Sequence, residues 1–146
     1  MKWEGVMPAV TTKFTNNDEL DFEMFNKNIV TQLDAGVSGI VLGGTLGEAS
    51  TLTRIEKSAL IKNTVEIVEN KIPVLMNIAE QSTSEAIVSV QNAEKDGASG
   101  LMILPPMRYK ASDKETVAYF KSVAKSTSLP IMIYNNPIDY KIEVTL

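Results

Sequence analysis

Five short apolar runs punctuate the chain, and the stretches between them carry helical periodicity. The runs are Val6-Met7-Pro8-Ala9-Val10, Ile40-Val41-Leu42, Val74-Leu75-Met76, Leu101-Met102-Ile103-Leu104 and Ile131-Met132-Ile133-Tyr134. Each is continuous rather than alternating, as strands buried on both faces should be. Between them, Phe25, Ile29 and Leu33 recur at four-residue steps. Ile61, Val65 and Val68 share a helical face, and Val117, Phe120 and Ala124 fit another. The order is βαβαβαβαβ, which predicts an α/β fold with a parallel sheet.

The helix boundaries are marked. Thr53 to Glu56, Ser82 to Glu85 and Ser112 to Glu115 all have capping-box spacing. Each hydroxyl can accept from an orphan N–H at a helix start, worth about 1 kcal/mol. Gly36 and Gly97 follow helix ends and suit left-handed caps. Gly36-Val37-Ser38-Gly39-Ile40 also echoes Gly97-Ala98-Ser99-Gly100-Leu101, two βα units later. Repeated pairs of βα units are what a (β/α) barrel would leave, although strand entry by itself also favours small residues.

Size leaves two parallel plans open. A five-stranded flavodoxin-like domain suits the 146 residues but needs a fifth covering helix, and only Asn135 to Leu146 follow the fifth run. An eight-unit barrel needs about 250 residues. The chain therefore reads as the first part of something longer. Such a half-barrel is expected to expose strand edges at its first and fifth strands and to associate through them.

Composition limits the chemistry. With a net charge of -4, nucleic acid and anionic membranes are disfavoured partners. No apolar run approaches a membrane span, and MKWEGVMPAV lacks a signal-peptide core, so a cytoplasmic location is expected. The chain has no Cys and no His, which removes thiolates, disulfides and the commonest general base and metal ligand. Lys, Tyr, Ser/Thr, acidic groups, Arg and backbone dipoles remain.

The loop Gly43-Gly44-Thr45-Leu46-Gly47-Glu48 follows the second run and precedes a capped helix. In both parallel plans this edge of the sheet carries the ligand site. Glycines there allow a sharp turn and close backbone approach. Successive amides can cradle an anion, and Thr45 adds a hydroxyl. Leu46 offers only backbone polar groups, and Glu48 is expected to brace the loop by accepting backbone N–H groups. The loop is neither a Walker A nor a G-x-G-x-x-G motif. Its chemistry alone suits either a small-carboxylate cradle or a tight structural turn.

Four stretches in order then resemble the dihydrodipicolinate synthase / N-acetylneuraminate lyase family of pyruvate-dependent class I aldolases. They are Pro8-Ala9-Val10-Thr11, Gly44-Thr45-Leu46-Gly47-Glu48 against the family's G-[ST]-T-G-E, Pro105-Pro106, and Tyr134-Asn135-x-Pro137. The resemblance implies that residues 1–146 are the N-terminal five βα units of a TIM (β/α)8 barrel. It implies a Schiff-base lyase of a small-molecule 2-oxo acid, working without cofactor or metal and assembled as a homotetramer. Carried over, Gly44, Thr45 and the Leu46 amide bind the acid's carboxylate, Thr45 shares in catalysis and Tyr134 relays protons. The Schiff-base lysine of the family lies on a sixth strand, beyond Leu146, so the segment alone is expected to be inactive.

Departures from the family pattern bear on the substrate. Where the synthase branch often has paired tyrosines, this chain reads Met107-Arg108-Tyr109, which makes Arg108 a candidate ligand contact. The position of that branch's carboxylate-binding Arg is Asp139, and the loop's second Thr is Leu46. Reversing a charge in this way should repel a dicarboxylate or amino-acid-like second substrate. The resemblance therefore points away from dihydrodipicolinate synthase proper. It points towards a sugar-acid aldolase, a keto-deoxy sugar acid dehydratase or a hydroxypyrroline-carboxylate deaminase, with a non-catalytic carboxylate-binding α/β domain as the rival class.

Overall fold

The computed structural model describes residues 1–106 and 109–145. Four parallel strands form one sheet: β1 (Ile40–Leu42), β2 (Val74–Ile78), β3 (Gly100–Ile103) and β4 (Ile131–Ile133). Their order in the sheet is their order in sequence. A doubly wound sheet reverses direction at a switch point, whereas this sheet only advances, which is the winding of a barrel. Helices α1 (Phe22–Asp34), α2 (Arg54–Val68), α3 (Thr83–Lys95) and α4 (Asp113–Ala124) pack each against the next.

The two faces of the sheet differ. Ile40, Leu42, Met76, Ile78, Leu101 and Ile103 join the large core that includes the helices' apolar residues. Val41, Leu75 and Met102 form a separate small cluster with Met7 and Met132. Alternation along a strand sends neighbours to opposite faces, so the small cluster marks the face away from the helices, the inner lining of a barrel wall.

The run Val6–Val10 differs from expectation. It lies beside β1 but makes only one parallel bridge, Ala9 to Val41. The Val41 amide donates to the Pro8 carbonyl at 2.9 Å, and the Val10 amide donates to the Val41 carbonyl at 3.0 Å. Pro8 has no N–H for a ladder, so the run follows the sheet edge without becoming a full strand.

The caps form as the spacing predicts. Thr53 and Ser112 both close reciprocal capping boxes with Glu56 and Glu115. Ser82 accepts from the Glu85 amide, but the Glu85 carboxylate pairs instead with Arg54 at 3.2 Å. Gly36 and Gly97 both have positive φ. The echoed segments do equivalent work. The Ser38 amide donates to the Val6 carbonyl and the Ser99 amide to the Val74 carbonyl, each tying a strand entry to the preceding strand.

Helix α4 corrects one reading. Val117 and Ala124 are exposed, while Thr116, Tyr119 and Val123 are buried. The face turns about one residue from the predicted one, because Tyr119 brings a larger apolar surface to the core than Val117 does. Among the described residues, no helix is long and apolar enough to cross a membrane.

Candidate active site

The glycine loop leaves β1 at the C-terminal edge of the sheet. Gly43 has φ +62, and a Cβ there would lie 2.7 Å from the Met76 methyl group. Thr45–Gly47 form one 3-10 turn, closed by the Gly47 amide donating to the Gly44 carbonyl at 2.8 Å. A Cβ on Gly47 would meet the Val10 carbonyl at 2.7 Å. This glycine thus serves close approach to the chain's own backbone. From the other side, the Thr12 hydroxyl donates to the Gly47 carbonyl at 2.7 Å.

Packing presents the turn's tip to solvent. Gly44 and Gly47 are buried while Thr45 and Leu46 are exposed, Leu46 to 80%. The amides of Thr45 and Leu46 precede the first hydrogen bond of the turn, so its geometry gives them no internal acceptor. Glu48 departs from expectation. Its carboxylate accepts from the Thr51 hydroxyl at 2.9 Å, and its backbone is left-handed at φ 67. The carboxylate fixes the loop's exit through a side chain, because the left-handed residue turns it away from the glycine amides.

Sequence reasoning missed Asn77. This residue is buried on β2, in register with Met102, which is in turn in register with Met132. Its amide donates to the Gly43 carbonyl at 2.7 Å, while its Oδ1 has no partner among the described residues. A polar residue within Val74-Leu75-Met76-Asn77-Ile78 was the available signal, because a buried amide demands a partner.

Tyr134 ends β4 at the same edge. Its amide extends the ladder by donating to the Ile103 carbonyl at 2.9 Å, and the residue is 41% exposed. The short helix α5 (Pro137–Tyr140) follows. Its last residue, Tyr140, brings its ring centroid to 6.0 Å from that of Tyr134, tilted by 57°. Burial pushes the Tyr140 phenol up, and the neighbouring Thr45 side chain pulls it back in part. Tyr134 and Asp139 push it up further as like charges. Tyr140 therefore joins the loop after β1 to the end of β4. Sequence reasoning missed it too, since its only signal was an aromatic closing the Asn136-Pro137 helical start.

The other candidates are placed as follows. Gly44, Thr45 and Leu46 lie together in the turn, and Tyr134 lies at the far strand with Tyr140 between them. Arg108 lies outside the described residues. Asp139 is exposed, its carboxylate accepting from the Asn136 side-chain amide at 2.6 Å. Among the described residues, no three acidic side chains converge into a metal-holding group.

A singly wound parallel sheet with helices on one face defines the first part of a (β/α)8 barrel, and its polar groups gather beyond the strand ends, the edge where such barrels carry their sites. The chain belongs to the Dihydrodipicolinate synthetase family, which it matches over residues 2–145. It is 38% identical to a 4-hydroxy-tetrahydrodipicolinate synthase of Thermotoga neapolitana, over 92% of this chain and 46% of the relative. It is 36% identical to one of Methanosarcina mazei, with the same coverage. Among solved structures it resembles the 4-hydroxy-tetrahydrodipicolinate synthase of Methylacidiphilum fumariolicum SolV. There the TM-score is 0.94 at 33% identity, covering 99% of this chain and 48% of that one. It also resembles YagE, a prophage protein of E. coli K12 solved in complex with pyruvate. That comparison gives a TM-score of 0.92 at 32% identity, covering 98% and 48%. The chain thus spans about half the length of the relatives it matches.

Proposed function

We propose that this chain supplies the carboxylate-binding loop and the proton-relay phenol of a Schiff-base-forming lyase acting on pyruvate or a related 2-oxo acid. The observation that supports it most is the meeting of Thr45, Tyr140 and Tyr134 at one sheet edge. The Thr45 hydroxyl and the Thr45 and Leu46 amides hold the acid's carboxylate, with Gly44 allowing the approach. A lysine outside these 146 residues attacks the adjacent ketone carbon. Tyr134 relays the two protons of the attacking nitrogen in turn to the former ketone oxygen, the first making it a hydroxyl and the second releasing it as water, so the imine forms with no net proton gained or lost. A free phenol titrates near 10 and is a poor base alone, so it needs neighbouring hydroxyls to pass the proton on.

The second substrate differs from that of dihydrodipicolinate synthase. Asp139 stands where that branch carries its carboxylate-binding Arg, and Asn136 holds the carboxylate in place. This favours a keto-deoxy sugar acid or a hydroxypyrroline-carboxylate over a dicarboxylate. The active form is a cytoplasmic homotetramer, which sedimentation of the complete protein tests, and it needs no metal or organic cofactor. The self-contained carboxylate-binding domain is disfavoured by the singly wound strand order.

Incubating the complete protein with pyruvate and borohydride tests the proposal. The expected product is a lysine carrying reduced pyruvate, located outside residues 1–146. Absence of an adduct with pyruvate and every small 2-oxo acid tried rejects this class.

A further inference from the structure

Asn77 is the one polar side chain that the four strands turn toward the inner face. Alternation from Leu75 places it there, in the company of Val41, Met102 and Met132. Asn77 is in register with Met102, and Met102 with Met132. On the other side Leu42 is in register with Met76, which sets Gly43 beside Asn77. Gly43, Asn77, Met102 and Met132 therefore form one layer across the sheet. Thr45 lies two residues beyond Gly43 and Tyr134 two beyond Met132, so this layer is the floor of the candidate site.

The two ends of the Asn77 amide are used differently. Its nitrogen donates to the Gly43 carbonyl at 2.7 Å. Exchanging the two ends would set oxygen against that carbonyl, so the bond fixes which end is which. The Oδ1 atom is buried and accepts from no group among the described residues. A buried acceptor without a donor costs about 1–3 kcal/mol, so Oδ1 calls for an N–H or O–H from another segment or a bound molecule. Met102, its register neighbour, is an unbranched thioether that repacks readily around an incoming group.

We propose that Asn77 is a positioning residue for the reacting amine, its Oδ1 accepting one N–H so that the nitrogen lone pair faces the ketone carbon of the bound acid. The inference rests on the functional reading above. The acid's carboxylate is held by the turn that begins beside Gly43, so an amine attacking the adjacent carbon enters the barrel at the level of Asn77. An amine donates, and Oδ1 can only accept. Neutrality matters as much as place. A carboxylate there would hold the lysine as its ammonium, which has no lone pair to attack with, whereas an amide oxygen orients the nitrogen at a far smaller bias. The surroundings agree. Neither the four strands nor Val6–Val10 contain a charged residue, and the titratable group on the inner line is Tyr134. At the rim above, Tyr140 stands beside Tyr134, while Glu48 and Asp139 are tied to Thr51 and Asn136. Asn77 itself exchanges no proton.

The pH dependence of imine trapping by the complete protein, with pyruvate and borohydride, tests this. Trapping needs the neutral amine, so its rate rises with pH through the amine's own titration. Asn77→Ala removes an acceptor that favours the ammonium. The midpoint of the rise is expected to move down, and the rate above it to fall by about 10- to 100-fold as the amine loses its orientation. Asn77→Asp keeps the shape but adds a negative charge, and its midpoint is expected to move up by about 1–3 pH units. Both variants lose the donor to Gly43, so a purely structural role slows both and moves neither midpoint. Unmoved midpoints, or midpoints that move in the same direction, overturn the proposal. Asn77→Asp, the nearer in shape, decides by its own midpoint where Asn77→Ala does not fold. Trapping of pyruvate by the unaltered protein upholds the functional reading whatever the variants do. If the unaltered protein traps no 2-oxo acid, that reading fails and the role of Asn77 fails with it.

Discussion

The side-chain amide of Asn77 donates to the main-chain carbonyl of Gly43 at 2.7 Å, joining the inner face of β2 to the first residue of the glycine loop. Gly43 carries the left-handed φ that turns the loop over the sheet edge. A buried carbonyl in such a turn has no ladder partner, and Asn77 supplies one from the neighbouring strand. The orientation of the Thr45 turn therefore depends on a buried residue of the neighbouring strand.

Asn77→Ala should leave the Gly43 carbonyl unpaired in the interior and destabilise the fold by about 1–3 kcal/mol. Urea denaturation measures this. The same variant should bind pyruvate more weakly in the complete protein, because the loop above it loses its tether.

Gly47→Ala forces a methyl group to 2.7 Å from the Val10 carbonyl, an atom of rigid backbone. The turn must shift or the edge segment must move, and the expected cost is about 1–3 kcal/mol. Leu46→Ala, one residue away and exposed, should be near neutral for stability. Thermal denaturation of the two side by side separates close packing from a general sensitivity of the loop.

The capping boxes predict an acid-labile component of stability. The Thr53 side chain and then its backbone amide hold the Glu56 carboxyl below its ordinary value of 4.5. A depressed folded value means that the stabilisation is present above 4.5 and is lost as pH falls through the folded value. Ser112 acts likewise on Glu115, with its backbone amide the larger influence. Denaturation midpoints of the unaltered chain and of Glu56→Gln should differ at neutral pH and converge as the pH is lowered. A constant difference at every pH would contradict this.

Tyr119 predicts the opposite limb. It is 3% exposed, its ring meets Phe120 edge-on at 5.2 Å, and its hydroxyl has no partner among the described residues. Burial, then the negative charge of Glu80, pushes the phenol up to about 12. A raised folded value keeps its stabilisation below the unfolded value near 10 and loses it as pH rises through about 12. Tyr119→Phe removes both the titration and the unpaired hydroxyl. The variant should be more stable by about 1 kcal/mol at neutral pH and should resist alkaline unfolding better. Thermal melts across that range check both effects.

Much of the architecture was legible in the sequence because its causes are local. A capping hydroxyl and its acidic partner are three residues apart. A glycine cap follows its helix directly, and an uninterrupted apolar run declares a strand covered on both sides. The repeated Gly-x-Ser-Gly entries had the same origin, a serine amide reaching back to the strand before. The loop and the strand-end tyrosine were legible too, as motifs at the edge where parallel sheets carry ligands.

Other features depended on segments that meet only after the sheet forms. Pro8 reduced the first run to one bridge because its neighbour is β1, and α4 turned its Tyr119 inward because the core had room for a ring. Periodicity alone leaves such a rotation open, since adjacent helical faces differ by a single residue. Thr45 and Tyr140, far apart in the chain, meet because four strands advance in one direction and place both loops at the same edge. Asn77 reaches Gly43 for a related reason, the register between β1 and β2. The sequence by itself determined the alternation of strands and helices, their caps and the residue types offered at the sheet edge. Only the tertiary structure decided which of those residues touch, because strand register and helix packing are set by the burial of the whole core.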